Sequence, residues 1–187
     1  MRVALLRHPT PAVARGLCYG RLDVRLAAVA ADETLRMIAR LAGWQGAAVW
    51  SSPRQRCLLP ARAIARALCA PAPQVDARLQ ELDFGAWEGR PWAAVERAAL
   101  DEWAARPADF TPPGGEAVRS LVTRVGAFWS ELPVGAHIIV THGGPLKVFA
   151  ALARGEAVDL LRPTMAYAAV DIVVAPVMAE PGQLPAR

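Results

Sequence analysis

Three short apolar runs punctuate the chain: Val3-Ala4-Leu5-Leu6, Ala47-Ala48-Val49-Trp50 and Ile138-Ile139-Val140-Thr141. Each gives way to charged or polar residues, and an unbroken apolar run of this length predicts a strand buried on both faces. Between them, apolar residues recur at three- and four-residue spacing over 27–42, 55–68, 92–104, 116–131 and 146–153, which predicts helices. Residues 167–174 predict a late strand whose alternating start leaves one face less buried. Strands alternating with helices predict an α/β fold with a mainly parallel sheet covered on both faces.

At 187 residues and 54% hydrophobic content, the chain is long enough to bury a core and short enough for one domain, here 1–175. The Pro- and Gly-rich stretches at 71–73 and 112–115 read as loops inside it, because structured patterns resume at once on either side. Pro176, Pro181, Gly182 and Pro185 mark 176–187 as a loosely ordered tail. Cys18, Cys57 and Cys69 are odd in number and lack a CxxC spacing, so neither a disulfide framework nor a zinc site is expected, and a reducing compartment fits. Four apolar residues between Arg2 and Arg7 are too few for a signal-peptide core, and no later run is apolar enough to span a bilayer; the expectation is a cytoplasmic protein with no membrane partner.

The net charge of +4 is carried almost wholly by Arg, since Lys147 is the only lysine, and Arg suits bidentate contact with oxyanions. No basic run or Arg–aromatic interleaving marks a nucleic-acid surface. Alone, the Arg bias also suits an acidic lipid or a genome-composition habit, and it is the motifs at the strand ends that make a small phosphorylated metabolite the expected partner, for a monomer or homodimer.

Chemistry gathers where the strands end. Arg7-His8 follows the first run, Ser51-Ser52-Pro53-Arg54-Gln55-Arg56 the second and Thr141-His142-Gly143-Gly144 the third. In a parallel sheet these positions share the carboxyl edge, where ligands bind. Ser52 suits a helix N-cap and Pro53 the first helical position, and a helix N-terminus beside Arg54 and Arg56 is an anion site. His137 begins its strand at the opposite end and reads as a satisfied surface or strand-edge histidine. No further metal-ligand types accompany His8 or His142 at short spacing. Glu81-Leu82-Asp83-Phe84-Gly85-Ala86-Trp87-Glu88-Gly89 packs three carboxylates among aromatics and glycines, and a carboxyl held near apolar rings is a candidate acid.

In order and spacing, Leu6-Arg7-His8, Ser51-Ser52-Pro53-x-x-Arg56, the 81–89 segment, Pro113-Gly114-Gly115-Glu116 and Val140-Thr141-His142-Gly143-Gly144 resemble the histidine phosphatase, or phosphoglycerate mutase-like, superfamily. The resemblance covers residues 2 to about 150. It implies a three-layer α/β/α sandwich and a reaction needing no cofactor and no metal, in which His8 attacks phosphorus and water hydrolyses the phosphohistidine. It also implies that Arg7, Arg56 and His142, with Gly143, surround the phosphoryl oxygens, and that Glu81 is the proton donor, with Asp83 the competing assignment. A neutral His8 needs a hydrogen-bond partner at its second ring nitrogen that the sequence does not name.

The chain departs from many members at Pro9-Thr10-Pro11-Ala12-Val13-Ala14, where the usual Thr and Asn are missing, so contacts to phosphate differ there. The stretch Gly16-Leu17-Cys18-Tyr19-Gly20-Arg21-Leu22-Asp23-Val24 resembles small bacterial α-ribazole-5'-phosphate phosphatases of cobalamin assembly, which implies substrate contacts from Tyr19 and Arg21. The shortness of the chain favours hydrolysis over mutase-like transfer. Mutase activity, a broad sugar-phosphate phosphatase and a phospho-ligand module without turnover are the alternatives, the last motivated by residues 9–14.

Overall fold

The computed structural model describes residues 1–159 and 163–174. The strands are β1 (Arg2–Arg7), β2 (Ala48–Ser51), β3 (Gln74–Val75), β4 (Ala136–Thr141) and β5 (Val170–Val174). The helices are α1 (Ala30–Ala39), α2 (Gln55–Ala67), α3 (Arg97–Ala105), α4 (Val118–Ser130) and α5 (Gly143–Arg154). One sheet forms in the order β3-β2-β4-β1-β5, parallel throughout except for β5, which runs antiparallel to β1.

The period-2 alternation of a strand divides the apolar runs between two cores. Ala4, Leu6, Ile138 and Val140 point to one face and pack with Met37, Leu41 and Ile64 around α1 and α2. Val3, Leu5 and Ile139 point to the other and pack with Leu121, Val125, Phe128 and Phe149 on α4 and α5. The three-layer α/β/α sandwich around a mostly parallel sheet is therefore present. A third, smaller cluster joins buried Cys18, Trp87 and Val95 to Phe84, Trp92, Trp103 and Phe110, with Trp92 and Trp103 stacked 5.9 Å apart at 9°.

Several boundaries differ from the sequence pattern for identifiable reasons. Residues 27–29 do not join α1, because Ala27 N–H bonds to Thr10 O at 2.9 Å and Leu26 bridges Pro11. The expected helix over 92–104 is a short turn at Trp92–Ala94 and then α3, since Val95 and Glu96 are extended between them. α5 starts three residues before the periodic pattern, its first turn made of Gly143, Gly144 and Pro145, of which glycine carries poor helix propensity.

At α2, Ser52 and Pro53 precede the helix instead of capping it. Arg54 is the N-cap, and the first amide, Gln55 N–H, bonds to Asp23 Oδ1 at 3.0 Å. The anion at this helix N-terminus is thus the protein's own carboxylate. His137, expected at a surface or strand edge, is buried because β4 lies in the middle of the sheet. It is satisfied there, accepting from Trp50 Nε1 at 3.1 Å and donating to Pro133 O at 2.8 Å. The two-residue β3 carries no apolar run and had no signal in the pattern. Among the described residues no helix is long and apolar enough to cross a membrane; the tail at 176–187 lies outside them.

Candidate active site

Because β1, β4 and β2 are parallel neighbours, the residues just past them share one edge. The ladder continues beyond the strands: His8 N–H bonds to Thr141 O at 3.0 Å and Ser52 N–H to Val140 O at 3.1 Å, which locks His8, Ser52 and His142 side by side. The rings of His8 and His142 meet edge-to-face at 5.2 Å.

His8 is buried, and its Nδ1 lies 2.8 Å from Pro9 O. A carbonyl only accepts, so Nδ1 carries the proton and Nε2 presents a lone pair. The partner that the sequence left open is the backbone carbonyl of the next residue. Burial pushes the His8 pKa down to about 3 against the opposing pull of the Pro9 hydrogen bond, and the charges of Arg56 and Arg7 act in the same direction as burial. The imidazole is therefore neutral across the physiological range.

The neutral ring also makes stability depend on pH. Between pH 6.5 and about 3 the unfolded chain binds a proton at residue 8 that the folded protein refuses, so the stability of the fold falls as pH falls through that window. Each unit is worth about 1.4 kcal/mol. His8→Gln is expected to flatten the decline by a few kcal/mol between pH 6 and 4 in urea titrations, with no difference in slope above pH 7.5. Parallel curves for both proteins at acid pH would contradict the assignment.

His142 is also buried, and its pKa lies well below 6.5 for the same reasons, desolvation first and then the charge of Arg56. Arg56 Nε donates to its Nδ1 at 3.2 Å, which places the proton on Nε2, 2.8 Å from Ser52 Oγ. Arg56 is fully buried and donates further to Leu22 O at 2.7 Å and Gly20 O at 2.6 Å. Those carbonyls are set by Glu88, whose carboxylate accepts from Arg21 N and Leu22 N. Arg7 donates to Met165 O at 2.5 Å, and its guanidinium lies 4.1 Å over the Tyr167 ring. Its Nε is buried with no hydrogen-bond partner among the described residues. Tyr167 in turn lies beside His8, the rings tilted by 38° with centroids 5.4 Å apart, and shares a hydrogen bond with Tyr19.

Arg7, His8, Tyr19, Arg56, Glu81 and His142 line one cavity of about 150 Å3, with Trp92 on its wall. It brings together six segments of the chain, from strand ends, loops and the first turn of α2. Gly143 does not line it; with Gly144 it begins α5 beside an adjoining cavity that also touches Arg7 and Glu81. Arg21 does not line it either, being paired with Asp83 at 3.4 Å and Glu116 at 3.1 Å. Arg54 is absent from the lining as well. Among the described residues no three His, Cys, Asp or Glu side chains form a metal-binding group.

Comparison with known proteins shows the family and the fold. Residues 3–175 match the model of the histidine phosphatase superfamily, branch 1. The chain belongs to the histidine phosphatase superfamily. It is 30% identical over 175 residues to the glucosyl-3-phosphoglycerate phosphatase of Mycolicibacterium vanbaalenii, covering 84% of this chain and 76% of that one. A bifunctional protein of Mycobacterium tuberculosis is 40% identical over 113 residues, 57% of this chain; the match spans only 31% of that longer protein. Among solved structures, a Thermus thermophilus protein, TTHB049, superimposes with a TM-score of 0.73 at 27% identity, covering 94% and 95% of the two chains. The α-ribazole phosphatase of Shigella flexneri gives a TM-score of 0.83 at 23% identity over 92% and 89%, a likeness of fold.

Glu81 sits at the N-terminus of α5. Its Oε1 accepts from Gly144 N at 3.0 Å and from Leu82 N at 3.0 Å. A Cβ at Gly144 would fall 2.3 Å from Oε1, so only glycine lets the carboxylate approach the helix. Asp83 faces away into its bonds with Gly85 N and Arg21. The loop beneath Glu81 is gripped by Arg124 of α4, a residue that sequence reasoning passed over as part of an amphipathic helix. All five of its side-chain N–H groups are used: Nε and Nη2 pair with Glu116 at 2.8 and 3.0 Å, Nη1 donates to Arg78 O and Gln80 O at 2.5 and 2.7 Å, and Nη2 also donates to Glu81 O at 3.0 Å.

Breaking this largely buried pair leaves three carbonyls without their donor and Glu116 held only by Arg21 and Asp83 N. Arg124→Met is expected to cost roughly 3 kcal/mol and lower Tm by about 10 °C. A melting curve within a degree or two of wild type would show that the clamp carries no such weight.

Proposed function

We propose that this protein is a phosphomonoesterase that hydrolyses a small phosphorylated metabolite through a phosphohistidine on His8. The observation that carries the reading is the state of His8: neutral, held in one tautomer by Pro9 O, and facing a cavity between two guanidinium groups.

Nε2 of His8 attacks phosphorus as the bond to the ester oxygen breaks. The leaving oxygen takes a proton from Glu81, which borders the cavity. Water then attacks phosphorus on the far side of the His8–phosphorus bond, giving up a proton to the Glu81 carboxylate, and phosphate leaves with His8 restored. Arg7 and Arg56 are preorganised cations for the phosphoryl oxygens, in a site where low dielectric strengthens each contact. The partnerless Nε of Arg7 supports this, because a buried N–H without an acceptor costs about 1–3 kcal/mol that an anion would recover. His142 supplies its Nε2–H, held at Ser52 Oγ until a phosphoryl oxygen takes its place, and Tyr19 closes the cavity.

Within this class, α-ribazole 5'-phosphate is the specific substrate we favour, from the likeness of residues 16–24 to the enzymes that act on it. Tyr19 of that segment faces the cavity, and Arg21 acts instead as an ion-pair partner of Asp83 and Glu116. The test is a phosphate-release screen with added chelator, including α-ribazole 5'-phosphate and glucosyl-3-phosphoglycerate. Release from simple phosphomonoesters but not from α-ribazole 5'-phosphate would leave the chemistry and remove the substrate.

A further inference from the structure

Beside the phosphate-sized cavity lies a second one of about 290 Å3, and the two share Arg7, Glu81 and Phe84. Its wall is mainly apolar, built by Leu82, Phe84, Trp103, Pro107, Val118 and Leu121, from the 81–89 segment, α3 with its following turn, and α4. Lys147 and Thr164 add polar atoms on the side where Thr164 lies against Gly143. Nothing in the phosphoryl-transfer steps uses this space.

Its position relative to Glu81 says what enters it. A proton donor on the border of both cavities puts the scissile ester oxygen at that border. Phosphorus then lies on the His8 side, and the carbon skeleton of the alcohol extends the other way. An apolar cavity of roughly 150 Å3 takes a benzene ring, so 290 Å3 holds about two rings. A polyol or sugar entering the same space would give up water hydrogen bonds to walls that offer few in return.

We propose that this compartment binds the alcohol part of the substrate and selects phosphomonoesters whose alcohol carries a flat apolar group of one or two rings. The proposal rests on the phosphohistidine reading above and adds the substrate class to it.

The test compares ethyl, 2-phenylethyl and 2-(2-naphthyl)ethyl phosphate, esters of primary alcohols of similar acidity, so that leaving-group chemistry stays nearly constant. Burial of each methylene equivalent is worth about fourfold. In the wild-type protein kcat/KM is expected to rise more than tenfold from the ethyl to the naphthylethyl ester. Ala104 lines the compartment from an exposed position on α3, so Ala104→Phe fills it without straining the core. That variant is expected to flatten the series while leaving ethyl phosphate within about twofold of wild type. Val118→Phe fills it from α4 and serves as a second, independent variant, each checked by thermal melting. As a readout without turnover, 2-(2-naphthyl)ethanol is expected to inhibit competitively and to lose at least fivefold in affinity in Ala104→Phe.

A flat series in the wild type overturns the compartment proposal, and turnover of ethyl phosphate with labelling of His8 then leaves the phosphatase reading standing. A steep series that neither folded variant alters also overturns it, because the ring then binds elsewhere. No turnover of any ester and no phosphoenzyme would count against the phosphatase reading itself, and this proposal would fall with it.

Discussion

His8→Ala is expected to lower kcat/KM for p-nitrophenyl phosphate on the order of 10^4-fold or more, since removing a nucleophile leaves only the contribution of binding and charge. The protein should remain folded. His8 accepts no buried donor at Nδ1, and the substitution frees only Pro9 O, at a cost of about 1–3 kcal/mol. Wild-type protein mixed with substrate and quenched in alkali should retain phosphate on His8, because a phosphoramidate survives base and not acid. The variant should retain none. Equal phosphate release by the two proteins would falsify the nucleophile assignment, whatever the fate of the rest of the site.

Glu81→Gln should separate leaving groups. The amide oxygen still accepts from Gly144 N–H and Leu82 N–H, so the loop and α5 keep their geometry while the transferable proton is lost. For alkyl phosphates the loss is expected at roughly 10^2- to 10^4-fold, the usual contribution of a positioned acid. For p-nitrophenyl phosphate, whose leaving oxygen needs little protonation, it should stay under about tenfold. A uniform loss across both esters would assign Glu81 to binding and return Asp83 for consideration, although Asp83 is engaged by Gly85 N and Arg21.

The layered fold was legible because the strongest physical signal in it is local. Val3-Ala4-Leu5-Leu6 and Ile138-Ile139-Val140 are apolar at every position since both faces of β1 and β4 are covered, and no surface segment needs that pattern. The periodic helices followed for the same reason, with errors at the ends where backbone partners decide. Ala27 bonds to Thr10 O and Trp92 to Gly16 O, and neither choice leaves a trace in hydrophobic spacing. His8, Arg56 and His142 were legible as a set because parallel strands deliver their following residues to one edge, and Glu81 was legible through the 81–89 segment and the family resemblance.

Other parts of the site were not legible because they depend on backbone atoms or on residues distant in sequence. Pro9 supplies a carbonyl, which any residue type carries. Asp23 occupies the α2 N-terminus that the Ser52-Pro53 pattern advertised, through a contact 32 residues apart. Tyr167 looked like the first residue of a strand, yet it lies before β5 and spans from Arg7 to Tyr19 over His8. Arg21, a substrate contact by resemblance, is instead paired with Asp83 and Glu116.

By itself, the sequence determined the sheet, its covering helices, the family and the residue types that meet at the carboxyl edge, because burial and strand order act through the chain's own periodicity. Only the tertiary structure decided which tautomer His8 holds, that Arg124 and Glu116 grip the loop carrying Glu81, and that an apolar compartment adjoins the phosphate cavity. Those features arise from distances between segments far apart in the chain, which no local pattern encodes.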